Sequence, residues 1–395
     1  MQGYLRNNGE KGIRNVLLVV YTVECAHHVA REIALACRDK DVQVIGFGGC
    51  APNAYANNML QALCTHANVG GALFISLGCE NLDTPGITAA VKASGRPVKT
   101  LVIQKAGGTL KTIARGIEWI TATYPGLQAL PRVPLQLHEL TVGTICGGSD
   151  ATSGISANPA IGKAFDTLVA AGGTAIFEET GELIGCEHIM AERAAHQALG
   201  QQLVQTVAKA NQYYKRMGHD SFSAGNATGG LSTIEEKSMG AYCKSGDSLI
   251  AGILKPTQRA RQGGLYLLDV VPDGEPIFGF PNINDNAEIA ELISCGAHVI
   301  LFSTGRGSVV GSAISPVIKI CGNPLTYQKL ADDMDVNAGK IITGEASLAQ
   351  VGEEIVACMA NIAAGMPSRS EALGHREFVL TYKRFDMQQP GCFPG

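Results

Sequence analysis

The chain has 395 residues, 46% hydrophobic and 17% charged, with 31 basic against 35 acidic side chains and a formal charge of −4. That length supports two or three domains, each with a sizeable core. Near-balanced charge and a pI of about 6.2 exclude the electrostatic footprint of a nucleic-acid or anionic-membrane binder, leaving small molecules and other protein chains, including copies of itself in a homo-oligomer, as the expected partners.

Charged residues at Arg6, Glu10, Lys11 and Arg14 leave no room for a signal peptide, and the longest apolar runs are of strand length, so a cytoplasmic location is expected. Twelve cysteines are then free thiols or metal ligands rather than a disulfide framework. β-Branched runs at 16–20, 42–47, 72–77 and 98–104 alternate with helical patterns at 24–38, 57–66 and 109–124, the rhythm of a parallel sheet with crossover helices. Pro125, Pro131 and Pro134 then break the pattern and place a boundary between domains 1–134 and 135–395. Beyond it come a strand at 141–145, a helix at 159–171, a strand at 174–177, a long helical signal at 187–217 and a Gly/Ser/Asn-rich loop at 219–246. Strands follow at 264–271, 298–303 and 317–321, helices at 287–294 and 348–364, and a loose tail at 386–395. The expected fold is α/β: two Rossmann-like parallel-sheet domains with a catalytic crevice at the carboxyl ends of the strands, where open α/β sheets bind ligands.

Three cysteines end strand-like runs inside glycine-rich turns: Cys50 in Gly46-Phe47-Gly48-Gly49-Cys50, Cys79 in Gly78-Cys79-Glu80-Asn81, and Cys146 in Cys146-Gly147-Gly148-Ser149-Asp150. Soft thiolates suit iron, zinc or an iron–sulfur cluster, and three protein ligands leave a position open for substrate. Glu178, Glu179, Glu182, Glu187 and His188 cluster just past the strand at 174–177; they can supply a metal ligand or general base, with Glu179, just past the strand end, the best candidate. The segment Gly225-Asn226-Ala227-Thr228-Gly229-Gly230 can offer backbone N–H groups to an anion, ahead of a helix opened by a capping box at Ser232 or Thr233 with Glu235 or Glu236, and Lys237 can point at the same anion. Arg306, flanked by Gly305 and Gly307 at another strand end, suits bidentate binding of a carboxylate. Lys319 and Arg14 are further sources of positive charge. Serine-hydrolase, zincin and dinucleotide fingerprints are absent.

Several of these segments occur in the order found in one family. Gly12-Ile13-Arg14-Asn15, Gly78-Cys79-Glu80-Asn81, Cys146-Gly147-Gly148-Ser149-Asp150, Glu179 with Glu182, Glu235-Glu236-Lys237, Thr304-Gly305-Arg306-Gly307 and Asn337-Ala338-Gly339-Lys340 resemble the altronate and galactarate dehydratases. The resemblance implies an iron-dependent lyase that removes water from a sugar acid to give a 2-keto-3-deoxy product. Iron would be held by Cys50, Cys79 and Cys146, as Fe(II) or a three-cysteine [4Fe–4S] cluster, and the base would be Glu179 or Lys237. Single-chain members begin with a small antifreeze-like domain, whereas this chain starts at the catalytic body, so the resemblance implies either that the domain is absent or that a separate small subunit provides it. The 225–230 segment and Glu371-Ala372-Leu373-Gly374-His375-Arg376 look more like the large subunit of sulfolactate sulfo-lyase, whereas the cysteine contexts look like those of the dehydratases.

Overall fold

The computed structural model describes residues 1–216, 218, 224–273, 278–279, 284–381 and 383–384. The expected tail at 386–395 and Cys392 lie outside them, as does part of the 219–246 segment. The chain divides into two compact units. One comprises Gln2–Pro134 with the described parts of Asp273–Phe280 and Arg376–Gly395; the other comprises Met1, Leu135–Pro272 and the described part of Pro281–His375.

In the Gln2–Pro134 unit, β1 (Val16–Tyr21), β2 (Val42–Gly46), β3 (Val69–Ser76) and β4 (Val98–Val102) form a four-stranded sheet in the order β2-β1-β3-β4. Every neighbouring pair is parallel. All eight residues of β3 are buried, as a central parallel strand requires. Helices α1 (Glu24–Ala36), α2 (Ala54–Cys64), α3 (Thr84–Ala93) and α4 (Thr109–Gln128) make the crossovers. Buried Ala26, Val29, Ala30 and Ile33 of α1 follow the helical period and meet Leu17, Val19, Ile120 and Leu127 in one core. Helix α4 continues through Pro125 to Gln128 rather than ending at 124, because the proline falls in its last turn, where the chain soon leaves the helix in any case.

In the other unit, β5 (Thr141–Cys146), β6 (Thr174–Phe177), β7 (Ile250–Leu254), β8 (Gly264–Leu268), β9 (Val299–Thr304), β10 (Val317–Cys321) and β11 (Val336–Asn337) form a seven-stranded sheet in the order β7-β8-β6-β5-β9-β10-β11. All its pairings are parallel. The helices used below are α5 (Ala157–Ala170), α6 (Gln197–Arg216), α7 (Ile234–Tyr242), α8 (Asp285–Ser294) and α9 (Leu348–Ala363). The long helical signal at 187–217 resolves into two helices, Glu187–Glu192 and α6. Between them the backbone pairs with the start of β7, Ile250 N–H donating to Arg193 O at 2.8 Å and Ala195 N–H to Ile250 O at 2.9 Å. Strands β7 and β11 have no counterpart in the sequence reading. Among the described residues no helix is long and apolar enough to cross a membrane.

The loop after β3 is ordered around one carboxylate. Glu80 accepts from Thr22 Oγ1 and Ser76 Oγ, each at 2.5 Å, and from the N–H groups of Leu77, Gly78 and Cys79 at 3.2, 2.8 and 3.0 Å. The neighbouring loop is tied on by Asn81 N–H donating to Cys50 O at 3.0 Å. Burial pushes the Glu80 carboxyl up, but the hydrogen bonds from Ser76, Thr22 and Gly78 outweigh it and hold it down at about 2, against an ordinary value of 4.5. A depressed folded-state value means that the charged form contributes stability fully above about pH 4.5, and that this is lost as pH falls towards 2. Glu80→Gln should therefore unfold more readily than the wild-type chain at pH 7, with the gap in thermal midpoint closing as pH is lowered from 5 to 2. A gap that does not change with pH would contradict this assignment.

Candidate active site

The strand order reverses between β5 and β9: after β5 the chain builds one side of the sheet, then returns to β9 on the other. Ligands of open α/β sheets bind outside the carboxyl ends of the strands at such a reversal. Here β5 ends at Cys146, β6 runs into Glu178-Glu179, and β9 runs into Gly305-Arg306.

The loop after β5 is fixed by close approach. Gly148, at φ +60°, presents its carbonyl to the N–H groups of Gly305 and Arg306 at 3.2 and 2.8 Å, joining the loops that follow β5 and β9. A Cβ on Gly305 would lie 1.9 Å from Asp150 Oδ1, so only glycine fits beneath that carboxylate. Asp150 in turn accepts from Thr152 N–H at 2.8 Å and from Asn323 Nδ2 at 3.1 Å.

Around Cys146 the side chains converge. Its Sγ lies 3.1 Å from Glu179 Oε1, 3.4 Å from Glu182 Oε2, 3.3 Å from Ser149 Oγ and 3.8 Å from Lys237 Nζ. Lys237 also pairs with Glu182 at 2.6 Å, and Lys244 pairs with Glu179. Glu179 has φ 78°, a left-handed backbone that costs a non-glycine residue about 1–3 kcal/mol. That turn swings its carboxylate back to accept Cys146 N–H at 3.2 Å. Glu182 follows on the short 3₁₀ turn Thr180–Leu183. Lys237 projects from α7, whose start is capped by Thr233 accepting Glu236 N–H at 3.2 Å. Both lysines are buried, at 5% and 1% exposure.

Cys146, Glu179 and Glu182 each offer a ligand atom, all within 4.8 Å of one another, and could hold a metal ion. One sulfur and two carboxylate oxygens suit a divalent first-row metal. Counted as thiolate and carboxylates, they carry three negative charges against two lysines, so a proton on Sγ or a metal cation completes the balance. Burial lowers Lys237, but the charges of Cys146 and Glu182 more than reverse this, and the net shift is upward. Behind the cluster, burial and then Glu182 raise Asp285, while burial and then Glu178 raise Glu288 well above its usual range. Beside it opens a cleft of about 260 Å³, bounded by Cys146, Ser149, Asp150, Asn158, Glu236 and Lys237 among others.

The structure thus gathers Cys146, Glu179 and Lys237. The turn carrying Asn226, Gly229 and Gly230 packs beside them: Ala151 N–H donates to Gly229 O at 3.2 Å, and Arg306 Nη1 to Gly225 O at 2.9 Å. Two of its amides are turned inwards rather than offered to an anion: Gly229 and Gly230 donate within the turn to Gly225 O and Ala227 O, each at 3.0 Å. His188 is exposed on the helix Glu187–Glu192, outside the cluster. Lys319 is wholly buried in β10, its N–H on Asp335 Oδ2 at 2.8 Å, and does not line the cleft. Cys50 and Cys79, both exposed, and Arg14 belong to the Gln2–Pro134 unit. Sequence reasoning missed Lys244, which sits in a featureless 3₁₀ turn, Cys243–Ser245, and Asp285 and Glu288, which read as an ordinary acidic first turn of α8.

A family model described as D-galactarate/altronate dehydratase, C-terminal, matches residues 137–385. A second, described as D-galactarate dehydratase/altronate hydrolase, second domain, matches residues 3–128. The chain is 32% identical to the (2R)-sulfolactate sulfo-lyase subunit beta of Chromohalobacter salexigens, with 96% of both chains covered. It is 31% identical to altronate dehydratase of Escherichia coli, over 96% of this chain and 77% of that one. It is 32% identical to galactarate dehydratase (L-threo-forming) of the same organism, over 75% and 57%. With both of its units matched and relatives aligned along almost its whole length, the chain belongs to the D-galactarate/altronate dehydratase family.

Proposed function

We propose that the chain, a lyase by family, eliminates water from a sugar acid of the altronate or galactarate type and yields a 2-keto-3-deoxy acid. The observation that carries this reading is the Cys146–Glu179–Glu182 group, compensated by Lys237 and Lys244 at the strand-order reversal. The proton beside the substrate carboxylate passes to a base, the C3–O bond breaks with its electron pair leaving on oxygen, that oxygen is protonated to water, and the enol ketonises.

Of the two residues expected as base, Lys237 is held as an ammonium by its anionic neighbours. It therefore neutralises charge on the substrate carboxylate as the proton leaves and delivers a proton to the departing hydroxyl. Glu179 takes the α-proton in this reading through Oε2, the oxygen turned to Lys244, leaving Oε1, which faces the Cys146 sulfur, as the metal donor; Lys244 and Cys146 N–H set its position. Ser149 and Asp150, lining the cleft, supply hydrogen bonds to substrate hydroxyls. A divalent metal, iron by family resemblance, would be held by Cys146, Glu179 and Glu182, and would supply Lewis acidity to substrate oxygens.

A second reading, elimination of sulfite from sulfolactate, is favoured by one observation: the sulfo-lyase relative matches 96% of both lengths. The two readings share the α-proton step and differ in the leaving group. That relative is named as a subunit, and a companion small chain is part of this proposal too.

Three outcomes are expected. Altronate, galactarate and sulfolactate, each supplied with and without a candidate small subunit, should give a 2-keto acid from a sugar acid and no sulfite; sulfite release from sulfolactate alone would replace the first reading by the second. Glu179→Gln and Lys237→Met should each lower kcat about 10²–10⁴-fold in folded protein, and Glu179→Gln should also abolish exchange of the α-proton with deuterated solvent. Retained exchange would remove Glu179 from the base role. Chelation of anaerobically purified protein should abolish turnover, iron should restore it, and Cys146→Ser should lower bound metal; full turnover in metal-free protein would overturn the metal assignment.

A further inference from the structure

Arg6 and Arg96, in the Gln2–Pro134 unit, are only 7% and 6% exposed. Both line a cavity of about 310 Å³ that shares no residue with the cleft beside Cys146. Arg6 Nε donates to Ala67 O at 2.7 Å, Nη1 to Asn15 Oδ1 at 2.9 Å and Nη2 to Arg14 O at 3.1 Å. Arg96 Nε and Nη2 donate to Val69 O and His66 O at 2.8 and 2.9 Å, so both guanidinium groups grip the 66–69 turn.

The acceptors of Arg6 are neutral. They satisfy its hydrogen bonds but do not cancel its charge, and a buried cation without a counter-charge is costly. Among the described residues no carboxylate pairs with Arg6; what faces it is a second cation, Arg96, and the Tyr4 ring, whose centroid lies 5.8 Å from its Cζ. Burial, followed by the Arg96 charge, pushes Arg6 down to about 9, which leaves it protonated at neutral pH. Three of its five N–H groups are engaged, and one remains on each Nη. The rest of the wall is mixed: Asn7, Ser94 and Thr123 are polar, while Pro97, Leu127 and Leu130 are apolar.

We propose that this cavity is a binding site for a small organic carboxylate, its charge held by Arg6 and Arg96 and its short apolar body resting on Leu127 and Leu130. Two like charges walling one cavity concentrate positive potential there, and the planar fork of arginine matches a carboxylate. The volume suits a ligand of a few carbons.

The probe is butyrate, which has no hydroxyl for the cleft beside Cys146, titrated into the full chain against chloride at equal ionic strength. Saturable binding by calorimetry and a rise in thermal midpoint are expected, following mass action. Gly126 lies on α4, lines the cavity and has open space where a Cβ would go. Gly126→Leu should therefore fold, keep wild-type sugar-acid turnover and lose the butyrate response. Arg96→Gln should lose it as well; if that variant does not fold, Gly126→Leu decides. No saturable response in the wild-type chain, or an equal one in Gly126→Leu, overturns the proposal and leaves the arginines as staples of the 66–69 turn.

Discussion

The pairing of Glu179 with the buried Lys244 is the interaction on which the site depends. Glu179 adopts a left-handed backbone that no glycine makes easy, and such a conformation persists only where its surroundings over-determine it. Here the side chain is held by Lys244 and by Cys146 N–H, whose donor sits at the end of β5. Removing the carboxylate would strand an ammonium that is 1% exposed, a loss of about 3–5 kcal/mol for a broken buried pair. The strained turn and the ion pair therefore enforce one another, and together they aim a carboxylate at the Cys146 sulfur.

That arrangement sets the electrostatics of the whole cleft. Glu178, Glu179, Glu182, Asp285 and Glu288 crowd the strand ends, and burial, followed by the neighbouring carboxylates, pushes Asp285 and Glu288 up. An anionic substrate cannot approach such a group unless positive charge exceeds it. Lys237 and Lys244 supply two charges, and a divalent cation on the Cys146–Glu179–Glu182 donors would reverse the local sign. A proton on Sγ or a metal cation would complete the balance, and of the two only the cation would also draw in an anionic substrate of the kind proposed.

Much of this was legible in the sequence where the signal is periodic or positional. Alternation of β-branched runs with helical periods gave the parallel sheets, and glycine turns following strands marked Cys146 and Arg306 at strand ends. Glu179 stood out because it lies just past the end of β6. Lys244 was not legible, since a lysine in a polar turn has no pattern and its burial arises only when that turn folds against β6. Strand β7 was hidden for a related reason: its burial is uneven along its length, and its start is defined by pairing with residues 193–195. The Gly225–Gly230 segment was misread in detail because glycine content reports freedom of backbone conformation, not the direction in which the amides point. Here those of Gly229 and Gly230 close the turn on itself.

The two sheets reverse strand order in the same manner yet carry different chemistry, and the difference lies in what compensates the carboxylate at the reversal. At the end of β3, Glu80 is surrounded by hydroxyl and amide donors, which favour a permanently charged, structural carboxylate. At the ends of β5 and β6, Glu179 and Glu182 are compensated by buried lysine ammonium groups and face a thiol. Neutral hydroxyl and amide donors hold a carboxylate without cancelling its charge; an ammonium cancels it and is itself an acid. Two equivalent topological positions thus differ in the kind of donor that each loop supplies, which makes one a fixed anchor and fits the other to the reactive role proposed for it.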